Sequence, residues 1–232
     1  MQIENSLPQS ELEYYSDSFD KMSEDLWDRA GYLYREEQVG NFKLADMRFE
    51  NGKLIIRTKT GSFSKGGLGS KYALRGDFDL QLDCRIDFLK ITSGMDQLLN
   101  ILVTDKSEKI GKADTVVINL AMGELMHQGR LTSGAMINGI WNKGSSKLVE
   151  SFDGTLRILR KGKYVSALYK TKSAPEWSKL HTFRTTENDM IFGFQLRNFF
   201  NKRTRIQATQ SISAEFDNFR INAAHGIIEE EI

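Results

Sequence analysis

The chain has 232 residues, 40% apolar and 27% charged, with 14 phenylalanines; this is enough apolar material for a sizeable core and an ordinary polar surface, and it excludes a largely disordered chain. Thirty-two Lys and Arg against 31 Asp and Glu leave a formal charge of +1, which argues against long-range capture of nucleic acid or an anionic membrane. Cys84 is the only cysteine, so no internal disulfide forms; His127, His181 and His225 are too scattered for a zinc-site pattern, and no apolar run is long enough to span a membrane.

Residues 1–15 read as a flexible segment, since residues 1–17 are polar and acidic and lack the basic start and apolar stretch of a signal peptide. A single domain then covers 16–222, and 223–232, with its three consecutive glutamates, reads as a solvated tail. A short helical turn is expected at 23–27. Residues 39–49 and 54–58 form a hairpin around Asn51-Gly52, a pair that tolerates positive φ. The Gly- and Ser-rich stretch 61–70 reads as a loop, and it lacks the Gly-Lys-Ser/Thr run and the strand-loop-helix setting of a phosphate cradle.

After residues 71–74 and an Arg75-Gly76-Asp77 connection comes the clearest element. Phe78, Leu80, Leu82, Cys84, Ile86 and Phe88 alternate without a miss with Asp79, Gln81, Asp83, Arg85 and Asp87. Strand side chains point alternately to opposite faces, so the even positions make an apolar face that contains Cys84, and the odd ones a polar face. Further strands are predicted at 98–104 and 115–122, in a hairpin from 155–160 to 164–169 through Lys161-Gly162-Lys163, and at 180–184, 190–197 and 213–221. Two long irregular connections, 126–146 and 198–211, are the first places to look for binding chemistry. The total is about ten to twelve strands, and alternation of this kind marks antiparallel sheets with one wet face. The predicted fold is all-β, an antiparallel two-sheet β-sandwich of the jelly-roll type.

Three segments carry a family resemblance: Ser18-Phe19-Asp20 with Leu26-Trp27; Glu50-Asn51-Gly52-Lys53-Leu54 leading to Gly76-Asp77-Phe78-Asp79; and Glu215-Phe216-Asp217-Asn218-Phe219-Arg220-Ile221. In order and spacing they resemble the concanavalin A-like lectin/glucanase jelly rolls, especially the laminarinase- and lichenase-type endo-β-glucanases, over residues 16–222. The segment 156–160 followed by Trp177 is similar to carbohydrate-associated relatives in the same superfamily, which are often exported. The resemblance implies a catalytic strand with Glu-x-Asp-x-Glu, three carboxylates on one face. The matching strand is 114–120, where Thr115, Val117 and Asn119 occupy those positions, and Glu-x-Asp-x-Glu occurs nowhere in the chain. None of the three can protonate a glycosidic oxygen or attack an anomeric carbon as a carboxylate does. The resemblance also implies a structural calcium ion, held through Ser18, Gly52 and Asp217.

The leading functional expectation is a non-catalytic module that binds an oligo- or polysaccharide. By the parity argument its ligand-binding residues are Asp83, Arg85, Asn100, Asn119, Gln195 and Arg197, with Trp141 in the long connection as the aromatic. Against this stands a solvated sheet face whose cross-strand ion pairs contribute only about 0.2–1 kcal/mol each. A hydrolase or lyase would need another carboxylate pair, such as Asp83 or Asp87 with Glu124; a structural or protein-interaction domain would have no lined groove. Trp27 and Trp177 read as core or loop anchors. Arg197, Lys202, Arg203 and Arg205, interleaved with Phe199 and Phe200, form the one local basic cluster, read as a solvated connection; a uronate-containing glycan would suit it best were it functional.

Overall fold

The computed structural model of the chain describes residues 3, 6–29, 42–61, 63–89, 95–107, 112–123, 128–200 and 209–229. Among these the chain forms a short helix, α1 (Gln9–Tyr14), and fourteen strands. The first seven are β1 (Trp27–Arg29), β2 (Phe42–Leu44), β3 (Asp46–Phe49), β4 (Leu54–Arg57), β5 (Phe63–Asp87), β6 (Met95–Asp105) and β7 (Thr115–Met122). The remainder are β8 (Gly129–Ile137), β9 (Ile140–Val149), β10 (Ser151–Lys161), β11 (Tyr164–Thr171), β12 (Ala174–Arg184), β13 (Met190–Phe200) and β14 (Ser213–Glu229).

Strand β5 is the seam of a two-layer antiparallel sandwich. Its residues 64–74 pair with β13, which continues through β6, β7 and β8 to β9. Its residues 78–87 pair with β10, which continues through β11 to β12, while β14 bridges β5 to β4 and β4 pairs with β3. Hydrogen bonding is therefore continuous around the fold, and the layers close where β12 meets β8 and β9, β11 meets β7, and β10 meets β6. Only the short pairing of β2 with β5 is parallel.

The core follows the predicted parity. Phe78, Leu80, Leu82, Cys84 and Ile86 are all buried, and Phe88 packs half-buried at the edge of the core. They meet Leu156, Ile158, Val165 and Phe183 from the same layer and Ile101, Val116, Ile118 and Leu120 from the other. Trp27 is a core anchor as expected, 1% exposed, surrounded by Phe19, Tyr72, Phe192, Phe194 and Phe219 at centroid distances of 5.1–6.4 Å. Its indole N–H donates to Asp17 Oδ2 at 2.8 Å, so the polar edge of the ring is satisfied inside the core.

Four segments differ from the expectation. Residues 9–14 are helical, because Leu12 and Tyr15 find buried seats beside β14, where the Tyr15 hydroxyl donates to Glu229 at 2.7 Å. Residues 63–70 and the Arg75-Gly76-Asp77 connection belong to the single strand β5; Gly67 answers to crowding, since a Cβ there would lie 2.1 Å from the carbonyl oxygen of Phe194, and Gly76 to a positive φ of 66°. Within 126–146, the described residues form the β8–β9 hairpin through Asn138-Gly139, both at positive φ. Strand β14 carries 223–229 along β5, with Ala224 buried against Phe78.

Candidate functional site

The outward faces of β13, β6, β7, β8 and β9 form a groove of about 760 Å³. Cross-strand register arranges its floor in rows perpendicular to the strands. Gln195, Asn100, Asn119 and Thr132 make one row across four strands, spanning roughly 14 Å at the usual strand spacing of about 4.8 Å, and Ser146 on β9 continues the register beyond the groove. Two residues away along the strands on one side lie Leu102 and Val117, then Thr104 and Thr115; on the other lie Arg197, Leu98 and Ala121. The uncharged polar row thus has Leu102 and Val117 on one flank and, on the other, Leu98 and Ala121 in a strip that opens with Arg197. That pattern suits a ligand with apolar ring faces and equatorial polar groups.

Trp141 closes the β9 side. It stands opposite Met136, is 47% exposed, and lies against Gly134, where a Cβ would come within 2.2 Å of its Cζ2. Glycine at 134 therefore lets the indole lie against β8. The sequence reading placed Trp141 in an irregular connection; it stands on a strand and lines the groove together with Asn100, Asn119, Gln195 and Arg197. That reading missed Thr132 and Met136, although Arg130, Thr132, Gly134 and Met136 alternate with buried Leu131, Ser133 and Ala135 before an Asn-Gly pair, the signature of a hairpin.

Thr115, Val117 and Asn119 stand side by side along the groove face of β7. The acids in the lining are Asp28 and Asp105. Asp28 is 3.7 Å from the Lys71 ammonium, and Asp105 accepts from the Ser107 N–H and hydroxyl at 2.8 and 2.7 Å and from Asn188 Nδ2 at 2.9 Å. Asp105 thereby ties down the loops at the end of the groove.

Asp83 and Arg85 do not join this set. They lie on the outward face of the other layer, in a separate hollow of about 390 Å³, because residues 78–87 of β5 pair with β10 and β14 rather than with β13. Parity fixes the face of a strand, not the layer to which the strand belongs. Asp83 accepts from Thr155 Oγ1 at 2.6 Å and Asn218 Nδ2 at 3.2 Å, and Arg85 pairs with Asp87 at 3.1 Å. With Lys172–Asp153 and Lys53–Glu215 beside them, this is a solvated, ion-paired face. Trp177 also faces outward on this layer, stacked between Arg157 and Lys170 at 4.9 and 4.8 Å. Glu124, Lys202, Arg203 and Arg205 lie outside the described residues, as do the side chains of Phe199 and Phe200.

The three residues matched to a calcium site come from segments that converge. The Ser18 hydroxyl donates to Asp20 Oδ2 at 2.7 Å, and Asp20 Oδ1 lies 3.2 Å from where a Cβ on Gly52 would stand, so the opening segment touches the Asn51-Gly52 turn. Burial pushes the Asp217 carboxyl above its ordinary range; nearby Asp83 and Asp20 push the same way, against the Asn218 N–H and Lys53. Phe19, Asn51, Gly52 and Asn218 all adopt positive φ around this point. Among the described residues no group of three or more His, Cys, Asp or Glu is set to hold a metal. An ion here would rest on one carboxylate and backbone oxygens, an arrangement that calcium accepts.

No family model and no curated protein sequence matches the chain. Its structure is similar to a prokaryotic β-1,3-1,4-glucanase (lichenase) from a mouse hindgut metagenome, with a TM-score of 0.61 at 11% identity over 89% of this chain and 97% of that one. A LamA variant from Z. galactanivorans, solved with laminaritriose and laminaritetraose, gives 0.60 at 10% identity over 89% and 96%. The CBM2 module of the evolved Dit of Lactobacillus casei BL23 phage J-1 gives 0.57 at 9% identity over 90% and 95%. At these identities the likeness establishes the fold alone: the chain is a jelly-roll β-sandwich, the fold that these glucanase structures have.

Proposed function

We propose that this protein binds an oligo- or polysaccharide in the groove of the β13–β9 layer and does not cleave it. The observation that carries this reading is the groove floor itself, an uncharged row of amides and hydroxyls beside a half-exposed tryptophan; the family resemblance, which matches Thr115, Val117 and Asn119 to the carboxylates that a retaining hydrolase needs, supports it. Hydroxyls and amides match the hydrogen-bonding edges of a sugar, and an indole covers its apolar face. Two of the fold neighbours support a saccharide as the ligand class, one a CBM2 module and one holding laminarin oligosaccharides.

A glycan array run beside a reducing-sugar assay tests the proposal. Saccharide binding without new reducing ends is expected, and Trp141→Ala should weaken binding about tenfold or more, the loss of roughly 1.4 kcal/mol, at unchanged thermal midpoint. Sustained release of reducing ends, or binding indifferent to Trp141→Ala, would overturn it.

A further inference from the structure

Two amides on the groove floor hold oxygens that nothing among the described residues answers. Gln195 and Asn100 stand opposite each other on β13 and β6, 2% and 4% exposed, and among the described residues neither Gln195 Oε1 nor Asn100 Oδ1 has a hydrogen-bond partner. A buried acceptor left unmade keeps the full cost of its lost hydration, so a fold gains nothing from two of them side by side. Both residues line the groove, and their row carries no charge from Gln195 through Asn119 and Thr132 to Ser146. The charged residues of the lining, Asp28, Asp105, Lys106 and Arg197, are two acids and two bases that all lie off this row.

Resting on the saccharide reading, we propose that the Asn100–Gln195 pair is the specificity element of the groove. It seats a neutral sugar ring through free hydroxyls, and it discriminates against a ring that places a carboxylate or sulfate there. A hydroxyl both donates and accepts, so by turning to suit, it serves the oxygen as well as the NH2 of an amide. A carboxylate or sulfate only accepts; it leaves the amide oxygens unanswered. It also brings a charge that must shed water over the amides themselves, with Arg197 two residues along β13 from Gln195 and off their row. Leu102 and Val117 flank the amide row with apolar surface on one side, and Leu98 and Ala121 do so on the other, where Arg197 opens the strip two residues along β13 from Gln195.

The test is calorimetric titration of the full chain with β-1,3- and β-1,4-linked neutral gluco-, galacto- and manno-oligosaccharides and with uronic or O-sulfated counterparts of equal length. The expected result is that a neutral probe binds at least about tenfold more tightly than its charged counterpart. Asn100→Leu and Gln195→Leu each remove an unanswered acceptor, so the unfolding midpoint should hold or rise while affinity for the neutral probe falls about tenfold. This opposition separates a ligand contact from a structural one. Charged probes that bind as tightly as neutral ones, or Leu variants that bind like the parent, would overturn the assignment and leave saccharide binding standing. Failure of every saccharide to bind would overturn both. Should a Leu variant not fold, the neutral-against-charged comparison on the parent decides.

Discussion

Leu82 and Gln81 are neighbours on β5 with opposite fates: Leu82 is fully buried against Leu156 and the core, whereas Gln81 faces outward and accepts from Asn222 Nδ2 at 3.3 Å. Removing a buried leucine side chain costs about 2–5 kcal/mol through lost transfer energy and the cavity left behind, whereas truncating a half-exposed glutamine costs under about 1 kcal/mol. Leu82→Ala should therefore lower the denaturant midpoint far more than Gln81→Ala, and equal shifts would contradict the assignment. This contrast was legible in sequence because strand alternation is local; it needs no knowledge of the partner strand. The same locality put Asn100, Asn119, Gln195 and Arg197 on the correct faces of β6, β7 and β13. Cys84, on the buried face, has its thiol pushed up by burial, which keeps it an inert packing residue.

Among the elements, hairpins with a turn pair flanked by clear alternation were readable, such as β10–β11 around Lys161-Gly162-Lys163. Two elements were not. The first half of strand β5 hides in a Gly- and Ser-rich stretch because Gly66 is crowded by Ala45 and Ile56 and Gly67 by Phe194 of β13, so composition there mimics a loop. The β8–β9 hairpin hides because β9 is almost wholly exposed and so lacks an apolar face. Nothing in composition announced Arg160 at the end of β10 either. It is 1% exposed, and its guanidinium donates to the carbonyl oxygens of Gly162, Asn188 and Thr186 at 3.0, 2.7 and 3.1 Å, fastening the turn before β13 to the β10–β11 hairpin. Hydrogen bonds from a charged donor are worth about 1.5–3 kcal/mol, and those sharing one side chain do not add fully. Arg160→Met should cost about 2–4 kcal/mol on that basis and raise amide exchange at Thr186, whose N–H bonds Asp114 Oδ2 at 2.9 Å. Unchanged exchange there would mean that the turn holds without the arginine.

At the scale of the whole molecule, the sequence could not say which layer each strand joins, and this is why Asp83 and Arg85 were grouped with a groove on the other layer. The opening segment is tied to β14 by the Asp17–Phe219 backbone pair and touches the turn before β4 where Asp20 approaches Gly52, and a calcium ion bound through Ser18, Gly52 and Asp217 would be a cross-link between chain ends far apart in sequence. The electrostatics supply a test with a definite sign. Burial, reinforced by Asp83, raises the Asp217 carboxyl in the folded state. A raised acid binds its proton more tightly folded than unfolded, so its contribution is present in full below the unfolded value and is lost as pH rises through the folded one. At neutral pH without a cation the Asp217 carboxylate is therefore a liability. In chelator, Asp217→Asn should melt at or above the parent at pH 7, and that advantage should shrink as the pH is lowered through the carboxylate range. In millimolar calcium the order should reverse, because an ion that binds only the folded state raises the parent midpoint with concentration while the asparagine variant, short of the charged ligand, gains little. A parent midpoint that does not respond to chelation would rule the ion out, and the opening segment would then be held by the paired backbone hydrogen bonds between Asp17 and Phe219 at 2.9 Å and by the packing of Phe19 and Trp27 against Phe194 and Phe219.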